Sequence, residues 1–406
     1  MISSLIDRLF PLWRIRNIGL FYVLSAVYNM WFVAGIWVFF WGRFMSNTQI
    51  GISDSITFAI GFLVELPSGV FADVIGRKKA ILIGNILLTI GNLLISFSSS
   101  FVGITTWYLV WTIGYAFQSG ATEALAYDSL KKQGLEHDWH KVISAATVTG
   151  KATTLIATAV GGFLFLYWFR LPYLMIGLSG IIGVVAAFYL TEIKVYQKAV
   201  WSFSTYMQQV KDGVSTLLKR SIIPMSLLCL ATLGIGYMYN WGLLRPLTGE
   251  RFGYDPQAYS ILLSVTSLVG IVAVGLLPRL RARFKIESLL LGCGGIFAVI
   301  FLLLGFDQSF LIGGLLMIVL SVVLNYVEIF FSQFINLRTQ EEHRATTLSA
   351  VALFTKLPYT FLALLIGSLA DSSLLATYTL SIGGIAIVAW LTAYFLYKKT
   401  NLADQH

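Results

Sequence analysis

The sequence predicts an all-α integral membrane protein: twelve transmembrane helices in two pseudo-symmetric six-helix bundles, with both termini on the cytoplasmic side. Three observations carry that prediction. Of the 406 residues, 57% are hydrophobic and only 12% are charged, where soluble domains carry about 25% charged residues. Apolar runs of roughly twenty residues, the length that crosses a bilayer core, recur along the whole chain. Lysine and arginine crowd alternate ends of those runs. A mean hydropathy of +0.79 excludes an ordinary soluble globule and a disordered chain.

The spans fall near 17–43, 52–74, 80–98, 103–130, 141–168, 172–193, 222–248, 256–280, 286–305, 309–337, 345–370 and 375–397. The first is too long for a secretory signal and lacks a small-residue cleavage site, so it is expected to be retained. Pro172 and Pro224 sit where a helix begins, and there the missing N–H costs little. Of the 28 basic residues, 22 lie at one set of span ends, and only Arg43, Arg170, Arg245 and Arg251 lie at the other. That asymmetry places both termini in the cytoplasm and accounts for most of the +9 net charge. The same charges are spread over thin loops, unlike the basic folded surface that nucleic acid requires.

The longest polar stretch, 195–221, repeats Phe203, Met207, Val210, Val214 and Leu217 at helical spacing among Lys and Gln. It reads as an amphipathic helix on the cytoplasmic surface. It divides the chain into an N-terminal six-helix bundle (1–194), a linker (195–221) and a C-terminal six-helix bundle (222–406). The halves also match each other. Shifted by 206, Gly69, Asp73, Arg77 and Lys79 fall on Gly275, Arg279, Arg283 and Lys285; shifted by 205, Glu123, Lys151 and Gly162 fall on Glu328, Lys356 and Gly367. Parallel halves joined by a cytoplasmic linker imply a pseudo-two-fold axis along the membrane normal.

Cys229 and Cys293 are the only cysteines, and both lie in apolar runs, so they read as core thiols. The histidines, His137, His140, His343 and His406, fall in polar loops or at the tail. That speaks against a metal site and excludes a histidine relay at membrane depth. No phosphate-cradling glycine loop followed by lysine appears, which disfavours ATP as the drive. No nucleophile stands beside a histidine at membrane depth, so an enzyme is not expected.

Between spans 2 and 3 the residues become specific. Gly69-Val-Phe-Ala-Asp73-Val-Ile-Gly76-Arg77-Lys78-Lys79 closely resembles the signature loop of the major facilitator superfamily of secondary transporters. Gly69 permits close helix approach, Gly76 a tight turn, and Asp73 is placed to accept from the N-terminal end of a neighbouring helix. The resemblance implies that this neighbour is the helix beginning near Arg344. It also implies that Arg77 pairs with Asp128 at the cytoplasmic end of span 4, the group acting as a conformational latch. Two other family motifs are altered. Trp111-Thr-Ile-Gly114 stands where members often carry an arginine, and Ala157-Thr158-Ala-Val-Gly161-Gly162 keeps only the second half of the exchangers' Gly-Pro and Gly-Gly pair.

Ionisable residues at membrane depth are costly and usually functional. Glu65, Glu123, Lys151, Glu328 and Lys356 are about 10–17 Å from the nearer cytoplasmic span end at helical rise. Three readings stand beside one another. Glu123–Lys151 and Glu328–Lys356, or Glu65–Lys356, form structural ion pairs. Alternatively the lysines hold an anionic or zwitterionic cargo, or a glutamate titrates and couples proton flow to transport.

Aromatics and amides enrich spans 1, 4, 7 and 10, which surround the cavity in the family. Tyr28, Asn29, Gln118, Tyr239, Asn240 and Asn325 are the cavity candidates, while Trp37 and Trp41 read as an interfacial belt. The expected function is secondary active transport of a small amphipathic organic molecule by alternating access, as proton-coupled efflux. Proton symport or facilitated uptake of an anionic or zwitterionic solute, and lipid flipping, are the alternatives; a receptor or scaffold fits the duplicated halves poorly. The expected partners are the small-molecule substrate and the bilayer. No cofactor is expected beyond the coupling proton, and no nucleic acid or obligate protein partner. The short polar tails and uninterrupted six-plus-six plan look like a bacterial inner-membrane transporter, and the family resemblance implies a monomer.

Overall fold

The computed structural model describes residues 2–193, 203–339 and 341–403; side chains are described except at 2–5, 65–71, 73, 203–206, 209, 341–343, 345 and 401–403. The described residues form helices joined by short turns. In chain order these are α1 (Ile2–Leu9), α2 (Arg16–Tyr28), α3 (Trp37–Trp41), α4 (Asn47–Ile75), α5 (Arg77–Phe97), α6 (Phe101–Gln118), α7 (Ala121–Lys131), α8 (Trp139–Tyr167), α9 (Leu171–Tyr189), α10 (Phe203–Leu217), α11 (Ile223–Asn240), α12 (Leu244–Arg251), α13 (Pro256–Arg283), α14 (Ile286–Leu303), α15 (Phe310–Arg338), α16 (Glu341–Asp371) and α17 (Leu375–Ala403). Nine helices among the described residues are long and apolar enough to cross a membrane. α9 and α11 carry Pro172 and Pro224 in their first turn.

Three predicted spans are interrupted. Span 1 breaks between Tyr28 and Trp37, span 4 at Ser119-Gly120, and span 7 between Asn240 and Leu244. Gly120 takes a φ of +74°, a conformation other residues adopt only with strain. The first break keeps its amides occupied by tight turns. Met30 N–H donates to Val27 O at 3.1 Å, and Ala34 N–H to Trp31 O also at 3.1 Å. Irregular backbone persists at membrane depth only where protein buries it or a wet cavity meets it.

The chain divides into two compact units. Unit 1 comprises Met1–Met45, Ile56–Trp201 and Pro256–Ser264; unit 2 comprises Ser46–Ser55, Ser202–Asp255 and Val265–His406. Helices α4 and α13 therefore each contribute their first residues to one unit and the remainder to the other. In unit 1 small residues let the helices pack closely: Ala72, Ala80, Ala121, Ala186 and Ala187 are buried with Leu24, Ile81, Leu125 and Leu190. A second cluster joins Ile18, Phe21 and Tyr22 to Ala126, Leu130, Val142 and Ala146. Asn17 ties this end together: its amide donates to Ser129 Oγ and to Thr191 O, both at 2.9 Å, and accepts from Thr191 N–H at 2.8 Å. Asn17→Ala takes this partner from the Thr191 N–H and C=O and is expected to cost about 1–3 kcal/mol, read as a lower melting temperature in detergent. In unit 2, α10 lays Val210, Thr216 and Leu217 inward, and Gly213 packs against Thr346 and Ala350 of α16. Outward faces remain apolar, as along α9 at Leu178, Ile181, Ile182, Val185 and Phe188, which suits lipid.

The repeat is visible in the helix starts. α4 and α13 (Asn47, Pro256), α5 and α14 (Arg77, Ile286), and α6 and α15 (Phe101, Phe310) each begin 209 residues apart. The N-cap serines keep the same spacing: Ser100 accepts from Gly103 N–H, and Ser309 from Ile312 N–H. The structural register in these helices is thus 209, not the 205–206 that residue matching gives, and Glu328 is not the counterpart of Glu123. Apolar helices align with little penalty at several offsets, whereas caps and turns fix their ends.

Candidate functional site

The motif loop lies in unit 1, at the turn from α4 to α5. The side chains of Glu65, Gly69 and Asp73 lie outside the described residues. Gly76 takes a φ of +99°, and a Cβ there would meet the Glu192 carboxylate at 2.6 Å. Glu192 accepts from the first two amides of α5, Arg77 N–H at 3.1 Å and Lys78 N–H at 3.0 Å. This carboxylate therefore meets the positive end of α5. Sequence reading missed it, because Glu192 stands in the segment leaving span 6 and resembles an ordinary loop acid. Arg77 forms an ion pair with Asp128 of α7; the two side chains are 18% and 16% exposed.

Unit 2 holds a counterpart that sequence reading also missed. Arg338, at the end of α15, pairs with Glu287 in the first turn of α14 at 2.5 Å. Both ion pairs join residues 51 positions apart, and an offset of 210, one residue from that of the helix starts, carries Arg77 onto Glu287 and Asp128 onto Arg338 with the charges exchanged. The signal was present as two opposite charges at helix ends with the same spacing, but a search for matching residue types passes over a reversed pair. Arg279, Arg283 and Lys285, the residues that resemble the motif by sequence, are not in an ion pair among the described residues.

The charges at membrane depth are arranged differently. Glu123, Lys151, Glu328 and Lys356 are all exposed, and among the described residues none of the four joins an ion pair. Neither Glu123–Lys151 nor Glu328–Lys356 is formed in this structure. A carboxylate that is buried instead is Asp54 of α4, at 1% exposure, which accepts from the Tyr359 hydroxyl of α16. Sequence reading passed over Asp54 because it lies close to the predicted start of span 2.

Five of the six cavity candidates lie at helix breaks, those of spans 1 and 4 in unit 1 and that of span 7 in unit 2. Tyr28 and Asn29 end α2. Asn29 donates to Ser25 O at 2.8 Å, and Thr154 of α8 donates to its carbonyl at 3.2 Å. Gln118 ends α6 and is buried; its Oε1 has no hydrogen-bond partner among the described residues. Asn240 ends α11 and is exposed. Tyr239 beside it is fully buried, with the Arg245 guanidinium 5.8 Å from its ring and Phe301 at 6.0 Å. Asn325 is exposed on α15. Trp41 is no belt residue: it is buried and donates to the Tyr173 hydroxyl at 2.9 Å.

An aromatic ladder faces the first break within unit 1. On α6, Tyr108, Trp111 and Tyr115 recur at three- and four-residue spacing and so share one face. Ring centroids are 5.7 Å apart for Tyr108–Trp111 and 5.6 Å for Trp111–Tyr115. Across from them, Tyr28 is 5.8 Å from Tyr115, Trp31 is 6.0 Å from Trp111, and Trp41 is 5.0 Å from Tyr108. Gly161 of α8 admits the broken segment from the other side: a Cβ there would be 1.8 Å from Phe32 O.

The Major Facilitator Superfamily model matches residues 17–359. The "Multidrug resistance protein MdtL" of Salmonella paratyphi C is 26% identical over 255 residues, which is 62% of each chain. The protein of the same name from Salmonella typhimurium is 25% identical over the same share. The match thus spans about three fifths of the length of these relatives. Among solved structures, the nucleoside transporter NupG superposes with a TM-score of 0.75 at 16% identity, covering 95% of this chain and 99% of its own. The POT family transporter PepTSo gives 0.68 at 12% identity, covering 95% and 98%. With the family model matching most of its length, and the helical fold shared with these transporters, the chain belongs to the Major Facilitator Superfamily.

Proposed function

We propose that this transporter exports small amphipathic organic molecules across a bacterial inner membrane in exchange for protons, working as a monomer by alternating access. The observation that carries this reading is the ladder of Tyr108, Trp111 and Tyr115 opposite the break at Tyr28 and Trp31. Stacked, half-buried rings bind flat apolar molecules and cations without demanding one hydrogen-bond pattern. Broken helices are also where transporters of this kind present backbone groups to cargo. The name of the MdtL relatives supports export of varied compounds, and the bacterial inner membrane is consistent with the same relatives. The ion pair Arg77–Asp128 and the loop of Gly69, Asp73 and Gly76 serve as the latch, and the membrane-depth acids Glu65, Glu123 and Glu328 are the candidate proton carriers. Cargo shifts the equilibrium only by its difference in affinity for the two states.

The test is an internal pH dye in proteoliposomes of the purified protein while ethidium, a flat cation, is added outside. Exchange alkalinises the interior and symport acidifies it. Trp111→Ala is expected to raise the half-saturating ethidium concentration about tenfold, the loss of one to two aromatic contacts. A flat trace with ethidium shown to bind, or an unchanged response in Trp111→Ala, overturns the reading.

A further inference from the structure

The buried acid Asp54 has no part in the motif loop or the aromatic ladder. It lies seven residues into α4, about 10 Å along the helix from Asn47, within unit 2. Its partner Tyr359 is fully buried in α16. The Tyr359 hydroxyl donates to the Asp54 carboxylate and accepts from the Leu243 N–H at 3.2 Å. Leu243 lies in the break between α11 and α12. One hydroxyl therefore links the outer part of α4, the middle of α16 and the interruption of span 7.

A second acid, Asp371, holds the same two helices at their outer ends. It accepts from Asn47 N–H at 3.0 Å, Thr48 N–H at 2.8 Å and Thr48 Oγ at 2.6 Å, so it caps the amides of α4's first turn. Ser55, the residue after Asp54, accepts at its Oγ from Leu364 N–H at 3.3 Å. The two acids differ in setting: Asp371 is exposed and does the work of a cap, whereas Asp54 is 1% exposed. Ionising a carboxyl there costs several kcal/mol unless the surroundings answer it. A protonated carboxyl is a donor and an ionised one only an acceptor. Tyr359 can meet either, donating to the carboxylate or accepting from the acid, while Leu243 N–H remains on its other lone pair.

We propose that Asp54 binds a proton during the transport cycle, taking it up from the outer side, and that Tyr359 relays its state to α16 and to the break at Leu243. This rests on the proton-exchange reading above and adds a site to it. The titratable and charged groups on the surrounding elements are Tyr359, Lys356 and Asp371 on α16, Tyr237 and Tyr239 on α11 and Arg245 on α12, with Glu341, Glu342, His343 and Arg344, Cys229, and Glu250 and Arg251 further along the same three helices. Tyr237 is in ring contact with Tyr359 at 6.3 Å. Glu65 on α4 itself lies outside the described side chains.

The first arm needs no cargo. Infrared difference spectra between acid and alkaline pH, on protein labelled with ¹³C-aspartate in lipid, are expected to show a buried carboxyl C=O band. That band should vanish in Asp54→Asn and shift in Tyr359→Phe, which keeps the ring and serves should the asparagine variant fold poorly. The second arm measures ethidium in proteoliposomes. Asp54→Asn is expected to lose about tenfold or more of pH-driven accumulation, while gradient-free counterflow stays within about twofold. A spectrum unchanged by either substitution overturns the proton site even where wild-type exchange stands. Equal loss of accumulation and counterflow overturns it in favour of a structural tie. An intact Asp54 band in wild-type protein that moves no protons with ethidium overturns the exchange reading, and with it the transport role of Asp54.

Discussion

Asp128→Asn is expected to lower folded yield modestly and transport severely. The Arg77–Asp128 pair is mostly buried, at 18% and 16% exposure. Removing the carboxylate takes the Asp128 partner from the guanidinium and is expected to cost about 2 kcal/mol of stability. The double variant Arg77→Gln/Asp128→Asn removes both charges, and the loss of an entire pair costs far less than breaking it. Its yield is therefore expected to return close to that of the wild type. If the pair serves as the proposed latch, transport is expected to stay low in both variants. Recovery of transport along with yield in the double variant would reduce the pair to a way of tolerating buried charge. The reversed pair Glu287–Arg338 provides the parallel experiment, with Glu287→Gln alone and with Arg338→Gln. There the larger exposure of Arg338, 45%, screens the interaction, so the stability loss should be smaller than at Asp128.

The second large effect is at Gly161. A methyl group there would stand 1.8 Å from the Phe32 carbonyl oxygen and 2.7 Å from its carbon. Both are backbone atoms, so no side-chain rotation relieves the clash. The broken segment of span 1 must move away from α8, disturbing the rings of Tyr28 and Trp31 on its other side. Gly161→Ala is expected to cost about 3 kcal/mol, the upper range for overpacking a close-packed site, and to abolish ethidium binding in the protein that does fold. Gly275→Ala is the control. Residue matching sets it on Gly69, yet nothing lies within 4 Å of a Cβ built there, so thermal stability and transport should match the wild type. If Gly161→Ala melts like Gly275→Ala, the close approach of α8 to the break is not what holds the segment.

Much of this architecture is legible in the residues. Hydropathy needs only a window sum, so twelve helical regions appear without knowledge of their neighbours. Basic residues report topology because they remain outside the hydrocarbon wherever the helices pack. The segment from Gly69 to Lys79 is short and specific, with its glycines, its acid and its basic cluster at fixed spacing, and it points to the family by itself. The same averaging hides the breaks. Tyr28 to Trp37, Ser119-Gly120 and the stretch around Gly242 are apolar or small, so a hydropathy sum runs through them, although the chain there turns instead of continuing as helix.

What the sequence by itself determined was the membrane class, the all-helical fold and the superfamily, all properties of composition and order along the chain. Tertiary structure decided which charges are buried and which helix faces meet. Asp54 and Glu123 are both carboxylates on apolar helices, and only packing makes one enclosed and the other exposed. Glu287 and Arg338 are 51 residues apart and become a pair only when α14 and α15 lie side by side. The aromatic ladder needs the break in span 1 to bring Tyr28 and Trp31 up to Trp111 and Tyr115. A helix apolar on every side has no periodicity to say which face turns inward, so that choice belongs to its neighbours.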